Sequence, residues 1–246
     1  MTDLIIDTDL GGDIDDALAL SMALHAKDLN ILAVTAVYAG CAWRTGIIRD
    51  MLKHYGRADI PVYEGAERPL TGDWGVEKPG DNAAARYIAD TAKKAPVTLL
   101  VIGPMTNIAL ALSLSPGIAD NMTIYAMGGM LSRAYAEWNI VCDPEAADIV
   151  LRSGANITLV PLDVTEKCML TKAQALDLVA GESDEMRFLR GEMTRFFEQY
   201  TFLPTLHDPL ALMCLLSPET CEYEMKDIRV ETRGDLTRGV TVDKRY

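Results

Sequence analysis

Nowhere does the chain approach the roughly 20 uninterrupted apolar residues that a membrane-spanning helix needs. Its first residues show no basic-then-apolar leader before the apolar run at Leu4. A cytoplasmic protein is the expectation. Basic residues are scarce as well: 23 Lys and Arg face 36 Asp and Glu, for a net charge of -13. That balance argues against nucleic acid or an anionic membrane as main partner, because both would be repelled, and favours a neutral or cationic small ligand. The five cysteines (Cys41, Cys142, Cys168, Cys214, Cys221) are odd in number, scattered and without a CxxC pair. They exclude a disulfide framework or a zinc knot and predict buried, reduced thiols. Internal repeats, low-complexity tracts and linkers are absent too.

What is present is an ordinary globular composition, 49% hydrophobic and 24% charged over 246 residues, a length compatible with one α/β domain spanning 1–246. Strand-like runs recur at Leu4–Asp7, Ile31–Tyr38, Val97–Ile102, Met122–Met127 and Ile157–Leu162. Helical segments at Thr45–Tyr55, Ala83–Lys94, Met105–Leu114 and Pro144–Ser153 separate them, and Lys172–Val179, Glu185–Gln199 and Asp208–Leu216 follow. Such alternation predicts a mainly parallel central sheet flanked by helices on both faces. The Gly- and Pro-rich stretch Gly65–Gly80 reads as a mobile flap.

The densest chemistry lies in LIIDTDLGGDIDDALALSMAL, Leu4–Leu24, where Asp7, Asp9, Asp13, Asp15 and Asp16 separate a strand-like run from a helix-like one. Alternation puts Asp7 and Asp9 on one face at the strand's C-terminal end. Gly11 and Gly12 permit a sharp turn, and Asp15 and Asp16 open the helix, so strand end and helix start converge. Capping that helix needs one or two Asp. The larger cluster repels itself and raises its own pKa values unless a cation neutralises it. Hard oxygen ligands suit Ca2+ or Mg2+, whereas zinc wants His or Cys, and neither lies nearby.

Three further segments are expected at the same rim, because ligands of parallel sheets bind at the carboxyl ends of the strands. In VIGPMTN, Val101–Asn107, a strand ends at Gly103-Pro104 and a helix begins near Thr106, so a backbone carbonyl at the break is free to join a Ca2+ shell. In AEWNIVCDPEAA, Ala136–Ala147, Glu137 and Asn139 flank Trp138 in a loop before Pro144 starts a helix. That grouping suits a polyhydroxylated ligand, and it equally suits a core Trp138 whose neighbours cap or face solvent. In LHDPLA, Leu206–Ala211, Pro209 at the first helical position leaves Asp208 at the N-cap. His207-Asp208 then reads either as a cap beside a surface imidazole or as part of the site.

In this order, DTDLGGDIDDALAL, VYEGAERPL, VIGPMTNIALAL, MGG followed by AEWNIVCDPEAA, PLDVTEK and LHDPLA resemble the inosine-uridine preferring nucleoside hydrolases, from Leu4 to about Val242. The resemblance implies a Rossmann-like fold. It implies hydrolysis of the N-glycosidic bond of a ribonucleoside to free base and ribose, with a tightly bound Ca2+ holding the attacking water and the ribose diol. By match to the family motifs, Asp9, Asp16 and Asp208 would be side-chain Ca2+ ligands and Ile102 a carbonyl ligand. Asp9 would double as general base. Asp15, Glu137 and Asn139 would hold the ribose hydroxyls, Trp138 would line the substrate site, and His207 would lie beside the departing base. The chemistry is coherent, because cleavage develops oxocarbenium-like charge that carboxylates stabilise, and an acidic pocket disfavours a 5′-phosphate.

The match has departures. Between Gly11 and the paired Asp15-Asp16 the spacing is longer than in the family's short form, which keeps Asp13 as an alternative that touches the cation directly or through a water. Where the family commonly carries Gly-Asn or Gly-Asp after the second strand, this chain has Ala39-Gly40, and the flap run Gly72-Asp73-Trp74-Gly75 has no histidine. The chain stops at Tyr246, where relatives usually continue through another strand and helix, so a partner subunit is expected to cover that edge in a homo-oligomer. Two other functions compete. A phosphatase of the haloacid dehalogenase type shares the IIDTD strand but leaves HDPLA unexplained. A catalytically impaired Ca2+-dependent nucleoside- or ribose-binding protein would account for the departures, and release of free base from a nucleoside decides against it.

Overall fold

A computed structural model describes residues 1–71 and 81–245. Strand and helix alternate through β1 (Thr2–Thr8), α1 (Asp15–His25), β2 (Leu29–Ala36), α2 (Cys41–His54), β3 (Val62–Tyr63), α3 (Ala83–Lys94), β4 (Val97–Val101), α4 (Thr106–Leu114), β5 (Met122–Met127), α5 (Trp138–Cys142), α6 (Pro144–Leu151) and β6 (Asn156–Val160). Helices α7 (Leu162–Thr165), α8 (Lys172–Leu178), α9 (Asp184–Gln199) and α10 (His207–Leu216) follow, and then the antiparallel pair β7 (Ile228–Val230) and β8 (Thr241–Asp243). The first six strands form one parallel sheet in the order β3-β2-β1-β4-β5-β6.

Side-chain alternation sorts each central strand between two apolar layers. Leu4 and Ile6 join Ile48, Phe196 and Leu212 on the side of α1, α2, α9 and α10. Ile5, Leu99 and Val101 join Ile88, Ile108 and Ala147 on the side of α3, α4 and α6. Both faces are covered, which is why these strands read as unbroken apolar runs. The expected α/β architecture is the one observed.

The strand order places a topological switch point between β1 and β4. The chain runs outward through β2 and β3 and then returns past β1 to β4. Helix α1 leaves β1 toward one face and α4 leaves β4 toward the other, opening a crevice at the two carboxyl ends. The site is built there.

Several boundaries differ from the sequence expectation. Helix α2 starts at Cys41 rather than Thr45, behind Gly40 with a φ of 83°. The stretch after Glu137 is no loop: α5 begins at Trp138, and the Glu137 carboxylate caps it by accepting the Asn139 and Ile140 N–H groups. Helix α10 begins at His207 with Leu206 at the N-cap, so Asp208 sits in the first turn and not at the cap. Strands β3, β7 and β8, of two or three residues each, are too short to show a periodicity. Of the expected flap, residues 72–80 lie outside the described residues, including Gly72-Asp73-Trp74-Gly75. Its described start is anchored, since the Ala66 N–H donates to Asn107 and the Leu70 N–H to Asp143. All five cysteines are free, Cys41 and Cys214 buried and the other three half-buried. No helix among the described residues is long and apolar enough to cross a membrane.

The crevice floor is fixed by Asn107 at the start of α4. Its amide Nδ2 donates to Asp7 Oδ1 at 2.8 Å and to the Ala36 carbonyl at 2.9 Å, and its Oδ1 accepts the Ala66 N–H at 2.9 Å. One buried side chain thereby ties β1, β2 and the loop after β3 together. Asn107→Ala strands several buried polar groups at once and is expected to lower unfolding free energy by about 2–4 kcal/mol. Urea denaturation measures it, and a loss below about 1 kcal/mol would show that these groups find other partners.

Candidate active site

Strand β1 ends at Thr8, and the next residues turn at Gly11, whose φ of 116° suits glycine. A Cβ there would strike the Trp43 indole at 2.8 Å. Helix α1 then opens with Asp15 and Asp16, and its N-cap, Ile14, makes no side-chain cap. Asp13 accepts the Ile14 N–H at 2.5 Å and Asp15 the Asp16 N–H at 3.2 Å, and both residues still line the crevice. Thr8 Oγ1 donates to Asp16 Oδ1 and accepts the Leu10 N–H at 3.1 Å. Asp15 accepts the backbone N–H of Asp208, joining the N-termini of α1 and α10. Gly103, after β4, lets the backbone approach closely, for a Cβ there would lie 2.9 Å from Asp9 N and Oδ1.

A cavity of about 670 Å³ opens at this point, and its wall contains Asp9, Asp13, Asp15, Asp16, Ile102, Glu137, Trp138, Asn139, His207 and Asp208. Every residue given a site role by the family motifs therefore lines one space, although these residues come from both ends of the chain. Asp7 does not. It faces α4, where Oδ1 accepts from Thr35 and Asn107 and Oδ2 is buried without a partner. Trp138 is 60% exposed, which removes it from the core and leaves its ring in the wall.

Oxygen atoms of Asp15, Asp16 and Asp208 all lie within 4.8 Å of one another, and these three carboxyls are buried. Asp9 stands in the adjoining wall rather than within that trio. The donor set is wholly oxygen, which fits a hard divalent cation. Buried carboxylates at this spacing need such a cation to share the ionised state.

Burial dominates the electrostatics. It pushes Asp9 up to about 6, against the neighbouring Arg44 guanidinium that pulls it down. Burial and then mutual repulsion hold Asp15, Asp16 and Asp208 well above the usual carboxylate range. Glu137 rises to about 7 through burial, although the N–H groups of Asn139, Gly129 and Ile140 oppose this. Asn139 uses Nδ2 on the Ile102 and Met127 carbonyls at 3.1 and 3.3 Å, leaving Oδ1 as its acceptor.

His207 is half-buried, and desolvation lowers its pKa, so its imidazole is neutral at pH 7. Its Nδ1 lies 2.7 Å from Thr165 Oγ1. Thr165 is fully buried and its hydroxyl proton has no other acceptor among the described residues. Because a buried hydroxyl donates its proton, Nδ1 accepts and Nε2 carries the ring's hydrogen. Thr165, in PLDVTEK, was not singled out from sequence. Neither were Tyr38, Arg44 and Tyr135, which also line the cavity, while Tyr200 and Phe202 beside them belong to the region after α9. Arg44 carried one signal: it is an arginine beside a tryptophan in a strongly acidic chain, just after a glycine turn.

The comparisons with known proteins agree with this geometry. The inosine-uridine preferring nucleoside hydrolase family matches residues 4–246, and the chain belongs to that family. Among curated relatives, a probable uridine nucleosidase 2 of Oryza sativa is 31% identical, with 94% of this chain and 79% of that protein covered. The pyrimidine-specific ribonucleoside hydrolase RihA of Salmonella typhimurium is 32% identical, with 99% and 88% covered. Among solved structures, an inosine-guanosine nucleoside hydrolase superposes with a TM-score of 0.88 at 28% identity, covering 100% of this chain and 88% of that one. A purine-preferring ribonucleoside hydrolase from Gardnerella vaginalis gives 0.83 at 30%, covering 99% and 88%. The chain is thus an enzyme of the nucleoside hydrolase type.

The raised carboxyls set a pH dependence. Unfolded, Asp9 and Glu137 titrate near 3.8 and 4.5, and folded they titrate near 6 and 7. Between those values the folded state binds more protons, so stability is full below the unfolded values and falls as pH rises through the folded ones. In chelator, melting temperature is expected to be lower at pH 8 than at pH 5, and an added divalent cation should raise it more at pH 8. A profile in chelator that is flat across this window would contradict the electrostatic account.

Proposed function

We propose that residues 1–246 act as one catalytic domain, a Ca2+-dependent N-ribohydrolase that cleaves ribonucleosides to free base and ribose. The observation that carries this reading is the convergence of Asp9, Asp15, Asp16, Asp208 and His207, from opposite ends of the chain, on one cavity with an aromatic wall. Asp16 and Asp208, with Asp9 and the Ile102 carbonyl, would hold Ca2+; Asp15, within 4.8 Å of Asp16 and Asp208, would share in that shell, and Asp13 lines the same cavity. When bound, the cation supplies positive charge that grips vicinal hydroxyls and acidifies water.

The chain's own groups account for the rest. Burial raises the Asp9 carboxyl to about 6 in the cation-free chain, so it is already ionised at neutral pH and a bound cation would favour that form further; as a carboxylate it takes the proton of the attacking water. Asp15 and Asn139 Oδ1 accept ribose hydroxyl protons, and Glu137 fixes the loop and α5 around them. As the glycosidic bond breaks, positive charge on the sugar is stabilised by the carboxylate wall. His207 donates from Nε2 to the base as negative charge develops on it, and Trp138, Tyr200 and Phe202 offer ring faces to that base.

Asp9→Asn is expected to lower kcat by about 10²–10⁴-fold at saturating Ca2+ and saturating nucleoside. Near-normal turnover would move the base role to Asp15 or Asp13. Removal of Ca2+ with chelator should abolish base release, with recovery on adding Ca2+ back.

His207→Ala and Thr165→Val form a second test. Both should slow natural nucleosides far more than a nitrophenyl riboside, whose leaving group needs no proton, and Thr165→Val should do so less than His207→Ala. Equal losses on both substrates would reduce His207 to a positioning residue for Asp208. The cytoplasmic location and the homo-oligomer expected from sequence belong to the same proposal, and sedimentation measures the latter.

A further inference from the structure

Among the described residues, Arg44 is the only guanidinium or ammonium group in the cavity wall, against six carboxylates. It lies in the first turn of α2, just after Ala39-Gly40, where the family's polar side chain is missing. Although only 7% exposed, it is not fully paired. Its Nε donates to the Ala39 carbonyl at 2.9 Å, and Nη1 donates to the carbonyls of Asp9 and Leu10. The rings of Tyr38 and Trp43 bracket it at 5.7 and 5.8 Å. Nη2 has no hydrogen-bond partner among the described residues. The guanidinium is held by three backbone contacts and lines the cavity, so an unpaired N–H on it points to an acceptor on the ligand.

The surroundings narrow that acceptor. An anionic group is repelled by six carboxylates in the same wall. The base has its ring faces and His207. Ribose hydroxyls remain. Each has one proton and two lone pairs, and the carboxylates can take only the proton. The Asn139 amide N–H groups are engaged by Ile102 and Met127. Hydroxyl lone pairs that the cation does not take therefore lack a donor, and Arg44 Nη2 is available as one.

We infer that Arg44 is a sugar-contacting specificity residue, whose Nη2 donates to one ribose hydroxyl oxygen in place of the side chain absent at Ala39-Gly40. The inference rests on the hydrolase reading. Because backbone carbonyls and two aromatic rings already hold the planar fork, little conformational freedom is lost when the sugar binds.

The test resolves hydroxyls one at a time. Wild type, Arg44→Gln and Arg44→Lys are compared on a ribonucleoside and on its 2′-, 3′- and 5′-deoxy counterparts, by KM and kcat and by calorimetric Kd. Arg44→Gln should raise KM and Kd for the ribonucleoside by about 10- to 100-fold, the scale of a hydrogen bond to a charged group. That loss should shrink to about 3-fold or less for the one deoxynucleoside that lacks the contacted hydroxyl, and persist for the other two. Arg44→Lys keeps the charge and the stem without the fork and should give the same pattern if the glutamine variant does not fold. Equal factors on all four nucleosides, in whichever variant folds, would overturn the inference and leave Arg44 as a pin for the two turns. A wild type that releases no base from any of them would instead overturn the hydrolase reading, and this inference with it.

Discussion

Like charges held out of water are the constraint on which this molecule is organised. Asp9, Asp15, Asp16 and Asp208 are each less than a tenth exposed, and burial alone disfavours their ionised forms before repulsion is counted. Nothing in the carboxylates themselves draws them together. The scaffold does: a β1 strand buried on both faces, a turn that only a glycine backbone makes easily, and two helices, α1 and α10, that begin at the same point. The partial positive charge of two helix N-termini offsets part of the repulsion. The remainder is the thermodynamic drive to take up a cation.

This division of labour explains why the polar groups beneath the crevice bond across strands rather than into the cavity, with only Asp7 Oδ2 left without a partner. Asp7 and Asn107 never reach the cavity, yet they hold β1, β2 and α4 at the spacing that leaves room for Asp9 above Gly103. Glu137 plays a comparable part on the other wall. Its carboxylate accepts three backbone N–H groups, so it shapes α5 while also facing the site. A residue read from sequence as a ligand contact can thus be occupied largely by the architecture that presents the contact.

Legibility in the sequence followed the physics of each element. The parallel sheet was legible because buried strands are apolar without interruption, and α3 was legible to its ends, Ala83–Lys94, from its helical composition. The acidic cluster was legible because a carboxylate-rich turn between two apolar runs has no structural use for so many charges. Short elements were not: β3 and α5 contain too few residues for any period, so Trp138 stayed undecided between core and site until its exposure was seen. Arg44 was missed because α2 was started at Thr45, one residue too late to include it. A single buried arginine leaves no periodic trace. Thr165 was missed because its contribution is a tautomer, which depends on a contact 42 positions away.

The cavity has two kinds of lining. Its carboxylates are fixed by the ends of β1 and β4 and by two helix N-termini, positions that the topology leaves little freedom to alter. Its aromatic lining comes from Tyr135, Trp138, Tyr200 and Phe202, which stand in loops or at a helix end. Such positions tolerate change without disturbing the sheet. Structures named for inosine and guanosine or for purines superpose on this chain, while curated relatives are named for uridine or pyrimidines. One scaffold therefore accompanies both classes of base, and the loop-borne aromatic residues of the cavity are where shape and stacking can differ without disturbing the sheet.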